Sequence, residues 1–153
     1  MESLPDRLLD SYAKAAPDGR LFCRGTAFAF AGRGVLALGP SGSGKSRLAL
    51  EMMALGARLI ADDGVWVTGA ASVRRPDGVP RLIEARGIGL LHADPLEEAP
   101  LALIVDLSRA EPERLPPRRE AAVPGARVAL ILGRGHPFLA AAICHYLSHG
   151  RAE

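Results

Sequence analysis

Gly39-Pro40-Ser41-Gly42-Ser43-Gly44-Lys45-Ser46 satisfies the pattern G-x-x-x-x-G-K-[ST] at every specified position. Glycines in such a run let the backbone bend around an anion and turn successive N–H groups toward it. The positive end of the following helix stands behind them. In that arrangement Lys45 reaches the β- and γ-phosphates of a nucleoside triphosphate, and the Ser46 hydroxyl ligates Mg2+. The surrounding sequence suits the motif, since an apolar strand pattern precedes it and a helical pattern follows.

Acidic residues would complete the chemistry. Asp62-Asp63 after Arg58-Leu59-Ile60-Ala61 and Asp106 after Leu101-Ala102-Leu103-Ile104-Val105 are both acids at the end of an apolar strand pattern. Either could ligand a metal, and either could simply cap a strand-to-loop turn. In the Asp62-Asp63 pair, neighbours on an extended chain point to opposite sides, so only one of the two faces the phosphates. Glu84 and Arg86, two apart, would share a strand face, setting a metal-holding carboxylate beside a phosphate-neutralising guanidinium.

These side chains must be held by an α/β framework. Leu4, Leu8, Leu9 and Tyr12 recur at helical spacing and predict a short docking helix. Residues 22–30 read as a strand, Gly32-Arg33-Gly34 as a turn and residues 35–38 as a buried strand. A helix follows through Leu55, with Gly56 at its end. Residues 58–61, 64–68 and 81–85 are strand candidates, residues 70–80 a surface loop around Pro76-Asp77-Gly78, and residues 86–89 a turn. Residues 101–107 read as a strand buried on both faces, residues 109–125 as a proline-rich surface loop, and residues 128–132 as a last strand. A helix at 137–147 starts with Pro137, and its apolar face of Phe138, Ile143 and Leu147 suggests docking of a subunit or protein substrate.

A chain of 153 residues, 48% apolar and 24% charged, matches one domain with a sizeable core and excludes disorder, collagen and coiled coil. Net charge is only +2, and Lys14 and Lys45 are the sole lysines among 19 basic residues. No basic run is long enough to track a nucleic-acid backbone. Cys23 and Cys144 are too few for a disulfide framework and read as buried thiols of a reducing cytosol. The N-terminus lacks a signal-peptide pattern, and no stretch has the roughly 20 apolar residues of a membrane span, so a cytoplasmic protein is expected. Trp66 reads as packing, in the core or beside a nucleotide, and the four histidines as ordinary surface or half-buried residues.

Order and spacing of Val35-Leu36-Ala37-Leu38 with the glycine-rich motif, Leu48-Ala49-Leu50, Gly56-Ala57-Arg58-Leu59-Ile60-Ala61-Asp62-Asp63 and Ile83-Glu84-Ala85-Arg86-Gly87-Ile88-Gly89 closely resemble the HPr kinase/phosphorylase family, over roughly residues 20–115. The resemblance implies an ATP- and Mg2+-dependent kinase acting on a serine of the phosphocarrier protein HPr or its nitrogen-branch paralogue. Many members also remove that phosphate by phosphorolysis. It further implies a P-loop catalytic core like the nucleotide-binding part of phosphoenolpyruvate carboxykinase, and a hexamer. Residues 1–153 would be that core alone, as in short alphaproteobacterial forms that lack the N-terminal domain. By position, Lys45 matches the phosphate-binding lysine and Ser46 the magnesium-ligating hydroxyl. Asp63, eighteen residues after Lys45, matches the acid that takes the serine proton. Glu84 matches a second magnesium ligand, Asp62 lies beside the metal, and Arg114 matches a later catalytic arginine.

The sequence departs from the family at two points. Arg24 stands where the family usually has histidine; it can neutralise phosphate but cannot relay a proton near neutral pH. Nor do Pro124-Gly125-Ala126-Arg127 and Gly133-Arg134-Gly135-His136 reproduce the basic segment linked to dephosphorylation. Kinase activity is therefore expected ahead of phosphorylase activity. Two alternatives are a nucleotide-binding regulator that has lost transfer, with Arg24 marking the loss, and a small-metabolite kinase.

Overall fold

The structure, a computed structural model, describes residues 4–153, with the side chains of residues 4–7 excepted. It opens with a 3-10 helix, Leu4–Ser11, which docks by burying Leu8 and Leu9; the side chain of Leu4 lies outside the described residues. Next come β1 (Ala13–Ala15), β2 (Leu21–Cys23), β3 (Thr26–Phe30), β4 (Arg33–Leu38) and α1 (Lys45–Ala54). The run expected as one strand over 22–30 is thus broken at Arg24-Gly25. At the break a Cβ on residue 25 would come within 2.8 Å of the Ala37 carbonyl oxygen, so the chain passes the end of β4 there only as glycine. The β3–β4 turn lies one residue earlier than expected, at Ala31 (φ 53°) and Gly32 (φ 76°), and Arg33 and Gly34 already belong to β4.

After α1 come β5 (Arg58–Ala61), β6 (Val65–Val67), β7 (Ser72–Arg74), β8 (Leu82–Ala85), β9 (Gly89–His92), β10 (Glu98–Asp106), β11 (Arg119–Val123), β12 (Ala126–Leu132) and α2 (Leu139–His149). Two segments expected as surface loops therefore carry strands. β7 sits within 70–80, where Val73 is buried between β6 and β10, and β11 sits within 109–125, paired antiparallel with β12. Each is held by its partners rather than by its own apolar pattern.

Ten of the strands form one continuous sheet, and β8 and β9 form a separate hairpin. The nine-residue β10 joins the halves of the large sheet. Its first residues pair antiparallel with β7, in the series β1-β2-β6-β7. Past an irregularity between Leu101 and Leu103 it runs parallel to β4 on one edge and β12 on the other. β3 is antiparallel to β4, and β5 to β3, so β4, β5, β10 and β12 all run the same way. Their C-terminal ends open at one edge of the sheet, which also receives Thr26 at the start of β3. That edge is where open α/β sheets bind ligands.

Alternation along the strands divides the core. Val35, Ala37, Leu103 and Val105 face α1 and α2, against Leu48, Met52, Ile143 and Leu147. Leu36, Leu38 and Ile104 face the other layer, which holds the 3-10 helix, Cys23, Val65 and Val73. Each of the buried valine, leucine, isoleucine and methionine side chains among these contributes about 1.5–3 kcal/mol. This packing corrects the reading of α2 as a docking face. Ile143 and Leu147 are spent on the core, and of the three residues only Phe138 is exposed. Of the two cysteines, Cys23 is buried, which pushes its thiol up to about 12, whereas Cys144 is only half-buried.

The 75–80 turn hangs on a buried arginine. Arg75 donates through Nη1 to the Ile60 carbonyl (3.1 Å) and through Nη2 to the Val79 (2.7 Å) and Pro80 (2.8 Å) carbonyls, and so ties the turn to β5. Arg75→Met keeps much of the apolar stem and strips the buried Ile60 carbonyl and the part-buried Val79 and Pro80 carbonyls of their donor. Urea unfolding should show a loss of about 2 kcal/mol at unchanged m-value, and an unmoved midpoint would deny the clamp.

Candidate active site

The 39–46 loop leaves the end of β4 and becomes α1. Gly39, at φ 155°, has the Ser43 side chain packed where a Cβ would project. Gly44, at φ 102°, is the N-cap of α1 and offers no side chain to cap it. The first bond of the helical ladder is Leu48 N–H to the Gly44 carbonyl (2.9 Å), so the amides of Lys45, Ser46 and Arg47 precede it and suit an outside acceptor. No acidic side chain stands in the first turn to take that place. The Ser43 hydroxyl is buried with no hydrogen-bond partner among the described residues. Lys45 folds back, its Nζ donating to the carbonyls of Gly39 (2.7 Å) and Pro40 (3.2 Å). An orphaned hydroxyl, an uncapped helix start and a lysine resting on its own loop all fit an anionic phosphate chain.

The structure separates the acids that the sequence left level. The Ser46 hydroxyl donates to Asp62 Oδ1 at 2.7 Å, and the Thr26 hydroxyl donates to the same oxygen at 2.9 Å. Asp63 follows at φ 56°, a left-handed conformation that aspartate tolerates, and is exposed. Both acids line a cavity of about 810 Å3 between the loop, the start of β3 and the β8–β9 hairpin. Asp106 is elsewhere and fully buried. Its Oδ1 accepts from the Ser108 amide (2.9 Å) and hydroxyl (2.6 Å), and its Oδ2 from Arg109 Nε (3.0 Å). It caps its own turn.

The β8–β9 hairpin brings Glu84 and Arg86 to the same cavity. Ile83 and Ala85 are buried while Glu84 between them is exposed, so the hairpin is anchored by alternate side chains. β8 ends at Ala85, and Arg86 reaches the cavity from the turn rather than from the strand. Arg24, exposed in the break between β2 and β3, lines the cavity too.

Arg114, grouped by the sequence with the site residues, does not line the cavity. Its proline-rich segment is tied down elsewhere, by Glu111 with Arg119 (2.9 Å) at both ends of a side-chain fork and by Arg151 Nη2 on the Pro116 carbonyl (2.8 Å). Trp66 packs edge-on against Phe22 at 5.2 Å, beneath the Arg20 guanidinium at 3.9 Å, as a packing residue away from the cavity. Sequence reasoning missed Thr26 and Tyr12, both of which line the cavity. Thr26 could have been found as the one hydroxyl in an otherwise apolar strand. Tyr12 arrives only through docking of the 3-10 helix and had no signal of its own.

Lys45, Arg24, Arg47 and Arg86 line the cavity together with Asp62, Asp63, Glu84 and Glu51. Burial holds the Lys45 ammonium below its ordinary pKa, with Asp63 and Asp62 pulling it back up and Arg24 pushing it down. Between that lowered value and the ordinary one the unfolded chain binds more protons than the folded chain, so stability rises with pH through that window. Among the described residues there is no cluster of three or more histidine, cysteine or carboxylate ligands. Ser46, Asp62 and Glu84 are oxygen donors that suit Mg2+, which takes few protein ligands and completes its shell with phosphate and water.

Residues 19–114 match the family model described as the HPr serine kinase C-terminal domain. The chain belongs to that family. Among curated relatives, the HPr kinase/phosphorylase of Bordetella pertussis is 40% identical over 100 residues, covering 56% of this chain and 32% of the relative. That of Brevibacillus brevis is 43% identical over 65 residues, covering 40% and 21%. The chain thus spans about a fifth to a third of the length of these relatives. The solved structure of the HPr(Ser) kinase/phosphatase from Coxiella burnetii superposes with a TM-score of 0.69 at 21% identity, over 83% of this chain and 93% of that one, a likeness of fold. The expected family membership is borne out, in a mixed α/β fold. No helix among the described residues is long and apolar enough to cross a membrane.

Because Lys14 and Lys45 are the only lysines, the charge state of Lys45 can be read directly. In side-chain NMR of isotope-labelled protein, one lysine signal, absent from Lys45→Met, should titrate below the ordinary lysine range and move upward on addition of inorganic pyrophosphate. A signal that ignores pyrophosphate would remove Lys45 from the anion site.

Proposed function

We propose that this chain is an ATP- and Mg2+-dependent protein-serine kinase whose substrate is an HPr-like phosphocarrier. The observation that carries the reading is the divergence of the two adjacent acids. Asp62 is drawn back onto Ser46 and Thr26, while the left-handed turn at the next residue leaves Asp63 exposed at the cavity beside Lys45. One acid is thereby available to the metal side of the site and the other to an incoming hydroxyl.

In this reading the 39–46 loop binds the phosphate chain through the first amides of α1, and the Ser43 hydroxyl gains the partner it lacks within the chain. Ser46, Asp62 and Glu84 would hold Mg2+, which when bound neutralises phosphate charge and orients the terminal phosphoryl group. Lys45 leaves the Gly39 and Pro40 carbonyls to contact the terminal phosphates. Arg24 and Arg86 add fixed positive charge against the charge that develops during transfer. Asp63 accepts the proton of the substrate serine as its oxygen bonds to the γ-phosphorus, and the bond to the β-γ bridging oxygen breaks to release ADP.

Arg24 bears on the direction of reaction. Phosphorolysis needs a proton returned to the departing serine oxygen; Asp63 would have to deliver it alone, because the arginine that shares the cavity relays no proton near neutral pH. The forward reaction is therefore the proposed activity. The assembly, a hexamer in the family resemblance, is proposed along with it.

With γ-labelled ATP and a cognate phosphocarrier, the protein should yield phosphoserine. Asp63→Asn should lower the rate by about 100-fold or more while nucleotide affinity stays within a few-fold. Parallel loss of both would make Asp63 a binding residue. Nucleotide binding with no transfer in the wild type would favour a regulator, and label appearing only on a small molecule would favour a metabolite kinase.

A further inference from the structure

A second cavity, of about 610 Å3, adjoins the first around the start of α1; Ser43, Gly44, Arg47 and Glu51 line both. It is bounded by the outer side of α1 and by the segment that links β12 to α2. Its floor is apolar, with Leu48, Leu107 and Ala140 all buried. Over it stands Phe138, 63% exposed, its ring open to a ligand on one side. The ring is nevertheless held in place. His136 stacks edge-on against it at 4.4 Å, and His136 Nδ1 accepts the Phe138 amide at 3.2 Å, so the imidazole braces the backbone and ring together. Leu55, 50% exposed, faces the same groove from the end of α1.

We infer that this groove is the nucleobase subsite of the proposed nucleotide, with the base stacked on Phe138. The inference rests on the phosphate-binding reading of the 39–46 loop and adds to it the place of the other end of the ligand. A phosphate chain wrapped on the first amides of α1 leaves in two directions. One leads into the first cavity, where Asp63 and Glu84 lie, and the other past Arg47 into the groove beneath Phe138. The acids of the first direction suit the transferring phosphoryl group and its metal. The second offers an apolar floor and a braced aromatic face, which suit a flat heterocycle. The groove also opens beyond the C-terminal ends of β4, β10 and β12, at the edge of the sheet where such ligands lie. Stacking discriminates weakly among heterocycles, so affinity should track the area of the base, purines ahead of pyrimidines.

The test compares ADP with inorganic pyrophosphate, which carries the same diphosphate and no base, by titration calorimetry on the full chain with Mg2+. Phe138→Ala, a change at an exposed helix-start residue, should weaken ADP by about tenfold while pyrophosphate stays within twofold, and Phe138→Tyr should restore ADP binding. ADP affinity unchanged in Phe138→Ala, or an equal loss for both ligands, would overturn the subsite. A shift confined to the KM of the protein substrate would overturn it in favour of a docking role for Phe138. If wild type binds neither ligand, the phosphate-loop reading itself fails, which is a separate result.

Discussion

Two hydroxyls converge on one carboxylate oxygen at the open edge of the sheet, and the rest of the site takes its bearings from that point. Ser46 belongs to the first turn of α1, Thr26 to the first residue of β3, and Asp62 to the residue just past β5. Hydrogen bonds to an ionised acceptor are worth roughly twice neutral ones. Here they tie together, at the ligand-binding edge, three segments far apart in the sequence. With Asp62 fixed, the next residue has little choice: Gly64 donates its amide to the Gly25 carbonyl at 2.9 Å, and Asp63 between these two anchors takes the left-handed turn that exposes it. A neutral asparagine at Asp62 could still accept one hydroxyl, but it would hold both less firmly.

Charge in the cavity is balanced rather than one-signed. Arginines at 24, 47 and 86 and Lys45 share the lining with four carboxylates, so the walls can take a polyanion and a divalent cation together without a large excess of either sign. The partial burial that depresses Lys45 also has a use. An ammonium stripped of some of its water gains more from a phosphate than a fully solvated one would, because part of the desolvation cost has already been met by folding.

The chemistry was more legible than the framework. The glycine-rich loop, the acid pair and the Glu84–Arg86 segment were all found by residue type and spacing, and the structure gathers them around one cavity. Asp62 and Asp106 could not be ranked, because each is an acid after an apolar strand. The difference lies in whether a hydroxyl from another element reaches it, and that is a tertiary fact. Strands of three residues, such as β1 and β7, are too short to show a period, and β11 alternates too weakly to outweigh the prolines before it. Arg114 was carried over by position along the chain. Position alone does not bring it to the cavity, because its segment is held by Arg119 and Arg151, an anchoring visible only in three dimensions. The apolar face of α2 was recognised, but a period of 3.6 cannot say whether a helix turns that face inward or outward.

The strand that serves both halves of the sheet also sets where the chain can be divided. The family match ends at residue 114, after β10 but before β11, β12 and α2. A fragment cut there would leave Leu103, Ile104 and Val105 paired with β4 alone and bare along the edge that β12 covers, and would strip α1 of the helix that packs on it. Such a margin is a template for pairing with other copies. The boundary drawn by sequence similarity is thus not a boundary of folding. During synthesis the central strand must wait for some two dozen further residues to emerge from the ribosome before it is covered on both sides, an interval in which chaperones would find it.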